Sequence, residues 1–375
     1  TLSRLSSGTS YNYRISATDS LGNNSVSSNQ TFTTNTVVVE PPVTPPAGTP
    51  TPTGTGKYLY VSPTGNDATT YANNNASNPW RTIGRASWGS TNRSSTNTNE
   101  AAKAGDVVLV SGGSYDSTEV VNNRFSVLYN PANSGSSGNY ITFTCVGDCT
   151  ITAPNANGPI IGSSGRNYIK WFADVSQGNS WIINACGMQS GCPTGTVNTS
   201  PDTGPVVCHD GTGCHVEGAV IDGTTPVDYT DNWNGIRVEN APSTILRNNT
   251  IRNFRTQSGS RNASGVTLYG SANTIVENNQ ISNVAGGIYF KHNGGSSLPM
   301  TNVRARYNNI SNTGQCVSWS IGVGSNHFYQ NICTDSAFGA LITGKGLLKD
   351  RIFKNTFSNL TGGGMYLSQN GTGGR

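Results

Sequence analysis

The side chains best equipped for chemistry sit in three short segments of alternating polarity: Arg237 and Glu239, then Tyr269, then Tyr289 and Lys291, with His292 beside them. The residues ahead of two of these segments add Asp228, Tyr229, Asp231 and Trp233, and then Arg255 and Arg261. Cations, carboxylates and aromatic rings gathered in one place suit a sugar polymer, because rings offer flat apolar faces and cations meet acidic substituents. Each member also has a plain use. Lys291 can be a solvated surface lysine, Glu239 can pair with a nearby cation, Asp228 and Asp231 can cap turns, and Trp233 can pack in the core. A second pattern, Cys208-His209-x4-Cys214-His215, holds four metal-ligand types. We read it as a disulfide with two bystander histidines, since the other cysteines also fall in close pairs.

Positioning such residues requires a regular scaffold, and internal repetition supplies it. Six segments begin at Gly235, Gly265, Gly287, Cys316, Gly339 and Gly364, and alternate apolar and polar residues. A strand sends every second side chain to the same face. One inward column is then Ile236, Val266, Ile288, Val317, Ala340 and Met365, and the other is Val238, Leu268, Phe290, Trp319, Ile342 and Leu367. Every position is apolar, as the interior of a stacked solenoid requires. The outward columns are Arg237, Thr267, Tyr289, Ser318, Leu341, Tyr366 and Glu239, Tyr269, Lys291, Ser320, Thr343, Ser368. A second repeat reads Asn249-Thr-Ile251, Asn279-Gln-Ile281, Asn308-Asn-Ile310, Gln330-Asn-Ile332 and Asn355-Thr-Phe357, with apolar members 30, 29, 22 and 25 residues apart. Asn253, Asn283, Asn312, Thr334 and Asn359 follow two residues behind. Stacked amides of this kind can bond from coil to coil. The pattern predicts an all-β parallel β-helix. The Leu/Asn framework of a leucine-rich repeat is missing, and the segments are too short for propeller blades.

Composition agrees. Only 11% of the 375 residues are charged, against about 25% in ordinary domains. The net charge of +4 is too small, and its cations too scattered, for a nucleic-acid partner. No apolar run is long enough to span a membrane. Eight cysteines pair by proximity as Cys145–Cys149, Cys186–Cys192, Cys208–Cys214 and Cys316–Cys333, which implies an oxidising compartment and a secreted or cell-surface protein. Residues 1–35 read as two alternating strands around Leu21-Gly-Asn-Asn24, and Leu5…Tyr11-x-Tyr13 resembles the tyrosine corner of a fibronectin type III domain. That resemblance implies the C-terminal part of such a β-sandwich. Residues 36–56 form a Pro/Thr-rich linker. The β-helix is expected over 57–375, entered through a strand at Tyr58–Val61 and a short helix at 79–86. The chain starts and stops within its patterns, so we read it as a piece of a longer protein.

The run from Lys57 through the coils resembles the pectate-lyase-like superfamily of polysaccharide lyases, in which a helix covers the first coil of a right-handed parallel β-helix. The resemblance implies cleavage of a uronic-acid glycan by β-elimination. A cation or Ca²⁺ neutralises the sugar carboxylate, and a Lys or Arg takes the neighbouring proton. Lys291 matches the base, with Arg237 or Arg261 as the carboxylate partner. Asp228, Asp231 and Glu239 are the oxygen donors for Ca²⁺. Tyr269, Tyr289, His292, Glu239, Trp233 and Arg255 are then substrate-binding. A free lysine titrates near 10.4 and must be depressed to serve as a base. A monomer acting on a polysaccharide is expected; the alternative is a non-catalytic glycan-binding or adhesive β-helix.

Overall fold

The computed structural model describes residues 9–33, 45–116, 120–121, 125–126, 128–152, 159–184, 204–223, 234–255, 263–291, 298–320, 324–343 and 349–368. The chain divides into two compact units, Thr1–Pro45 and Pro46–Arg375. In the first, Ser10–Tyr13 pairs antiparallel with Gln30–Thr33, and Ser16–Thr18 with Asn24–Val26. Asp19 builds the intervening turn by accepting from the backbone N–H groups of Leu21 and Asn23.

The second unit is a parallel β-helix. From Tyr58 onward the strands pair in parallel with their counterparts one coil away, apart from the antiparallel pair Val120–Val121 and Phe125–Ser126. Three faces result. Sheet A stacks Ile161–Ser164, Val206–His209, Ile236–Glu239 and Ser264–Tyr269, then the C-terminal halves of Gln280–Phe290 and Asn309–Trp319, then Phe338–Thr343 and Gly363–Ser368. Sheet B runs from Ile169–Ala173 through His215–Glu217, Ile245–Arg247, Ile275–Glu277, Arg304–Arg306 and His327–Tyr329 to Arg351–Phe353. Sheet C contains Ser180–Asn184, Ala219–Asp222, Thr250–Arg252, Ile332–Thr334 and Thr356–Ser358, together with the N-terminal halves of the two long strands. Those long strands turn from sheet C into sheet A without a loop.

Both expected inward columns of sheet A are in register and buried through Ile342. Trp319 is core, and its ring lies on that of Phe290 with centroids 4.1 Å apart and planes 1° from parallel. Met365 and Leu367, in the last described strand, are each 52% exposed. At the other end, helix α1 (Ile83–Trp88) is wholly buried beside the first strands. It starts later than the expected 79–86, because the Asp67 carboxylate takes the N–H groups of Arg81 and Thr82 and leaves Thr82 as the N-cap. A buried arginine sits in this helix. Arg85 donates to the carbonyls of Asp67, Thr69 and Glu100 and pairs with the Glu100 carboxylate at 2.7 Å, so its charge is neutralised and its donors are used. Residues 46–56, of linker composition, belong to this unit; Thr53 donates its N–H to Gly105 O.

The corner between sheets B and C holds an asparagine ladder. The Oδ1 of Asn279 accepts both the backbone N–H and the Nδ2 of Asn249 at 3.0 Å, and its own Nδ2 donates to Leu246 O and Asn308 Oδ1. Asn308, Asn331 and Asn355 repeat the arrangement. The expected fourth triplet is therefore displaced by one residue. Asn331, not Gln330, is the ladder member; Cys333, opposite Ile310, points inward, and Ile332 is 49% exposed. The partner column shifts likewise, to Asn253, Asn283, Asn312, Asp335 and Asn359, all with left-handed φ near +50 to +67°. Asn283 Nδ2 donates to Asn253 Oδ1 at 2.6 Å.

Three of the four expected disulfides are present: Cys145–Cys149, Cys208–Cys214 and Cys316–Cys333. Cys186 and Cys192 lie outside the described residues. Cys316–Cys333 ties sheet A of one coil to sheet C of the next, across a sequence separation of 17.

Two measurements test this account. Asn279→Ala strips partners from several buried polar groups at about 1–3 kcal/mol each, so urea unfolding should show a loss of about 2–4 kcal/mol. Asn283→Gly keeps the left-handed corner and should cost under about 1 kcal/mol; equal losses would remove the ladder's special role. Replacing Cys316 and Cys333 together by Ala should cost about 3 kcal/mol, and the same change at Cys145 and Cys149 about 2 kcal/mol, by loop-closure entropy.

Candidate functional site

The outward face of sheet A holds the predicted cluster. Register pairs Arg237 with Thr267 and Glu239 with Tyr269, and then Thr267 with Tyr289. Lys291 donates its N–H to Leu268 O, which sets it one coil beyond Tyr269 in the same column. Coils are about 4.8 Å apart, so five side chains from three coils meet. Arg237 and Glu239, two apart on one strand, point the same way: Arg237 Nε and Nη2 donate to Glu239 Oε2 at 3.0 and 2.7 Å. The Arg237 guanidinium carbon lies 4.5 Å from the Tyr269 ring centroid. From the following coil, Lys291 Nζ lies 5.1 Å from that centroid and 5.6 Å from that of Tyr289. Tyr269 thus contacts cations from both neighbouring coils, each attracted by the negative ring face.

Burial corrects one expectation. Tyr269 and Tyr289 are 2% and 3% exposed, so their rings are seats for the two cations and not open platforms for sugar. Arg255 is a second correction. Its Nη2 donates to both O and Oδ1 of Asn312 at 2.7 Å, two coils onward at the sheet C corner, which ties up the guanidinium away from the cluster. Asp228, Asp231, Trp233, Arg261 and His292 lie outside the described residues. Among the described residues no group of three His, Cys, Asp or Glu side chains converges, and the Glu239 carboxylate is already engaged by Arg237.

The cluster extends two coils toward the N-terminus. The column Glu239–Tyr269 continues back through His209 to Ser164. His209 Nε2 lies 3.3 Å from Asp210 Oδ2, and Asp210 donates its N–H to Glu239 O. Tyr129 joins this group through a hydrogen bond with Ser164 and the fields of Asp210, Glu239 and Arg237. Burial chiefly raises the Tyr129 phenol above its ordinary value; Ser164 and Arg237 oppose the shift and the two carboxylates add to it. It is a neutral hydroxyl at physiological pH. Sequence reading set His209 aside with the disulfide, although its 30-residue offset from Glu239 carries the signal. Tyr129 precedes the repeats and had no such signal.

Sheet B carries a separate row of charge. Glu277 joins Arg247 at 2.6 Å and Arg306 at 2.7 Å. Nearer the N-terminus, His215 Nε2 lies 2.9 Å from Glu217, and Lys170 Nζ lies 3.9 Å from the same carboxylate. Burial lowers both Lys170 and His215 from their usual values; Glu217, the opposing influence, is itself lowered by His215 and Lys170 against the effect of its own burial. Cys208 and Cys214 are disulfide-bonded and the two histidines lie on different sheets, as the disulfide reading of that motif requires.

The family described as a right-handed β-helix region matches residues 203–373. No curated protein matches the chain. Similar solved structures include a complex of XylC with xylose, at 12% identity and a TM-score of 0.43, covering 78% of this chain and 70% of that one. PfbA, a surface adhesin of Streptococcus pneumoniae, is 13% identical with a TM-score of 0.40, covering 72% and 73%. Pectate lyase Pel9A is 10% identical with a TM-score of 0.42, covering 88% and 82%. With its parallel coil-to-coil register and the family match over the later coils, the chain is a right-handed parallel β-helix.

Proposed function

We propose that this chain is a secreted carbohydrate-active β-helix whose sheet A site cleaves a uronic-acid glycan by β-elimination. The observation that carries the reading is the convergence of Arg237 and Lys291 on Tyr269 from the coils on either side. In this reading an arginine, Arg237 or Arg261, pairs with the sugar carboxylate and makes the adjacent C–H acidic. The neutral Lys291 amine takes that proton. The C–H electrons form the new carbon–carbon double bond, the glycosidic C–O bond breaks, and the leaving oxygen is protonated by solvent. Residues 1–35, read as the end of a fibronectin type III module, and the Pro/Thr-rich segment suit a modular extracellular protein. The disulfides support the same compartment.

A second reading, a glycan-binding or adhesive surface without catalysis, is favoured by one observation: the Arg237 guanidinium is already bound to Glu239 at 2.7 Å. A binding face tolerates such a pair, whereas the lyase requires substrate to draw Arg237 partly away.

The two readings separate on a panel of polyuronates, with ultraviolet absorbance of the unsaturated product as the readout. The lyase gives unsaturated product from at least one polyuronate. Lys291→Ala should lower the rate by about 10²–10⁴-fold, the usual contribution of a general base, with glycan binding retained. Binding by the unaltered protein with no product from any polyuronate would leave the adhesive reading standing. Product formation unchanged in Lys291→Ala would remove Lys291 from the mechanism.

A further inference from the structure

Sheet B changes character along its length. Through Glu277 its outward side chains are largely paired with one another. In the last three described coils they are aromatic and cationic: Arg304 and Arg306 with Tyr307, then His327 and Tyr329 with Gln330, then Arg351 and Phe353 with Lys354. Tyr307, Gln330 and Lys354 occupy equivalent corners with left-handed φ of 58, 54 and 55°. Earlier coils place Asn248 and Asn278 there, so ring and charge at this corner are additions to the repeat and not requirements of its geometry.

Some of these residues have structural partners. Tyr329 stacks on Phe353 with centroids 4.9 Å apart and planes 2° from parallel, and its hydroxyl accepts from Arg306 Nη1 at 3.1 Å. Arg306 is also bound to Glu277, and Arg304 donates to Ser325 O at 2.6 Å. Surface nevertheless remains open, including on Phe353 beside its contact with Tyr329. Tyr307 is 48% and Phe353 37% exposed. Arg351 and Lys354 are exposed, and among the described residues neither has an ion-pair partner. Charge nearby is mostly positive. Burial first, then Arg304 and Arg351, hold His327 below its ordinary value, with Asp350 opposing. Exposed, unpaired cations beside exposed rings call for a ligand that is both anionic and flat-faced.

We propose that the last three described coils of sheet B form a second glycan-binding face, on which Arg351 and Lys354 meet the carboxylates of an acidic polysaccharide and Tyr307 and Phe353 pack against its sugar rings. The choice of occupant follows from the coil repeat of about 4.8 Å, which presents equivalent positions in a straight row about one sugar ring apart. A linear polymer can therefore lie along the axis with successive units over successive coils. Mixed ionic and ring contact also distinguishes it from a neutral glycan, which has no use for the cations. The proposal shares its ligand class with the function proposed above but uses a different sheet and no catalytic step. The face would hold polymer while sheet A acts on it, raising the local concentration of chain ends and internal bonds.

The test is affinity electrophoresis of the full chain through gels containing polygalacturonate, alginate or a neutral glucan. Tyr307→Asn/Arg351→Gln/Lys354→Asn removes a ring and two charges, while asparagine keeps the left-handed corners comfortable. We expect retardation by the acidic polymers to weaken at least fivefold, with an unchanged thermal midpoint and no change in the neutral gel. Arg351→Gln/Lys354→Asn, which leaves both rings in place, should lose about half of that effect and keeps the test open should the triple variant unfold. Undiminished retardation of the variants, or tighter binding of single-stranded DNA than of either polyuronate, would overturn the proposal. Retardation without unsaturated product would sink the lyase reading alone and leave this face standing.

Discussion

A row of buried amides holds the coils in step. Inside a parallel β-helix each corner leaves backbone groups facing the next coil with no strand partner, and an unpaired buried N–H is costly. Asn249, Asn279, Asn308 and Asn331 meet that demand by accepting from the coil before and donating to the coil after, and Asn355 ends the row by accepting from Asn331 and donating to Phe328 O. Each asparagine uses its carbonyl and its amine together, so the chain of bonds runs unbroken along the axis. A slip of one residue would break several bonds at once and turn interior side chains outward. The meeting of Arg237, Tyr269 and Lys291 depends on this register, since each comes from a different coil.

Much of this was legible in the residues. Alternation fixed both inward columns, and their spacing aligned Arg237, Thr267 and Tyr289 as the strands do. The slip at Gln330 has a simple origin. Gln330 and Asn331 are adjacent amides, and spacing alone cannot choose between them. Geometry chooses Asn331, because its shorter side chain returns to the backbone of the neighbouring coil. The cysteine bridge then confirms Cys333, not Ile332, as the interior residue. Burial of Tyr269 and Tyr289 was not legible, since alternation gives the direction of a side chain and not what lies over it. The engagement of Arg255 by Asn312 was equally hidden, for it links positions 57 residues apart that are close only once the coils are stacked.

The two charged faces use ion pairs differently. On sheet B, Arg247, Glu277 and Arg306 pair across coils, so each contact also fastens one coil to the next. On sheet A the pair Arg237–Glu239 lies within one strand. Its neighbours in the stack stay available, and the adjacent coils fill them with Tyr269, Tyr289 and Lys291. The same residue types thus fasten coil to coil at Glu277 and assemble a within-strand pair at Glu239.

The absence of a connecting loop in Gln280–Phe290 and Asn309–Trp319 has a consequence for how such a protein can diversify. Where strands run directly from sheet C into sheet A, an insertion would have to break a continuous ladder and its buried side chains. In the two preceding coils Ala219–Asp222 and Ile236–Glu239, and Thr250–Arg252 and Ser264–Tyr269, are separate strands, so no continuous ladder has to be broken there. A change in length between sheets C and A is therefore accommodated more readily in those two coils than in the later pair, whose uninterrupted strands form a continuous spine.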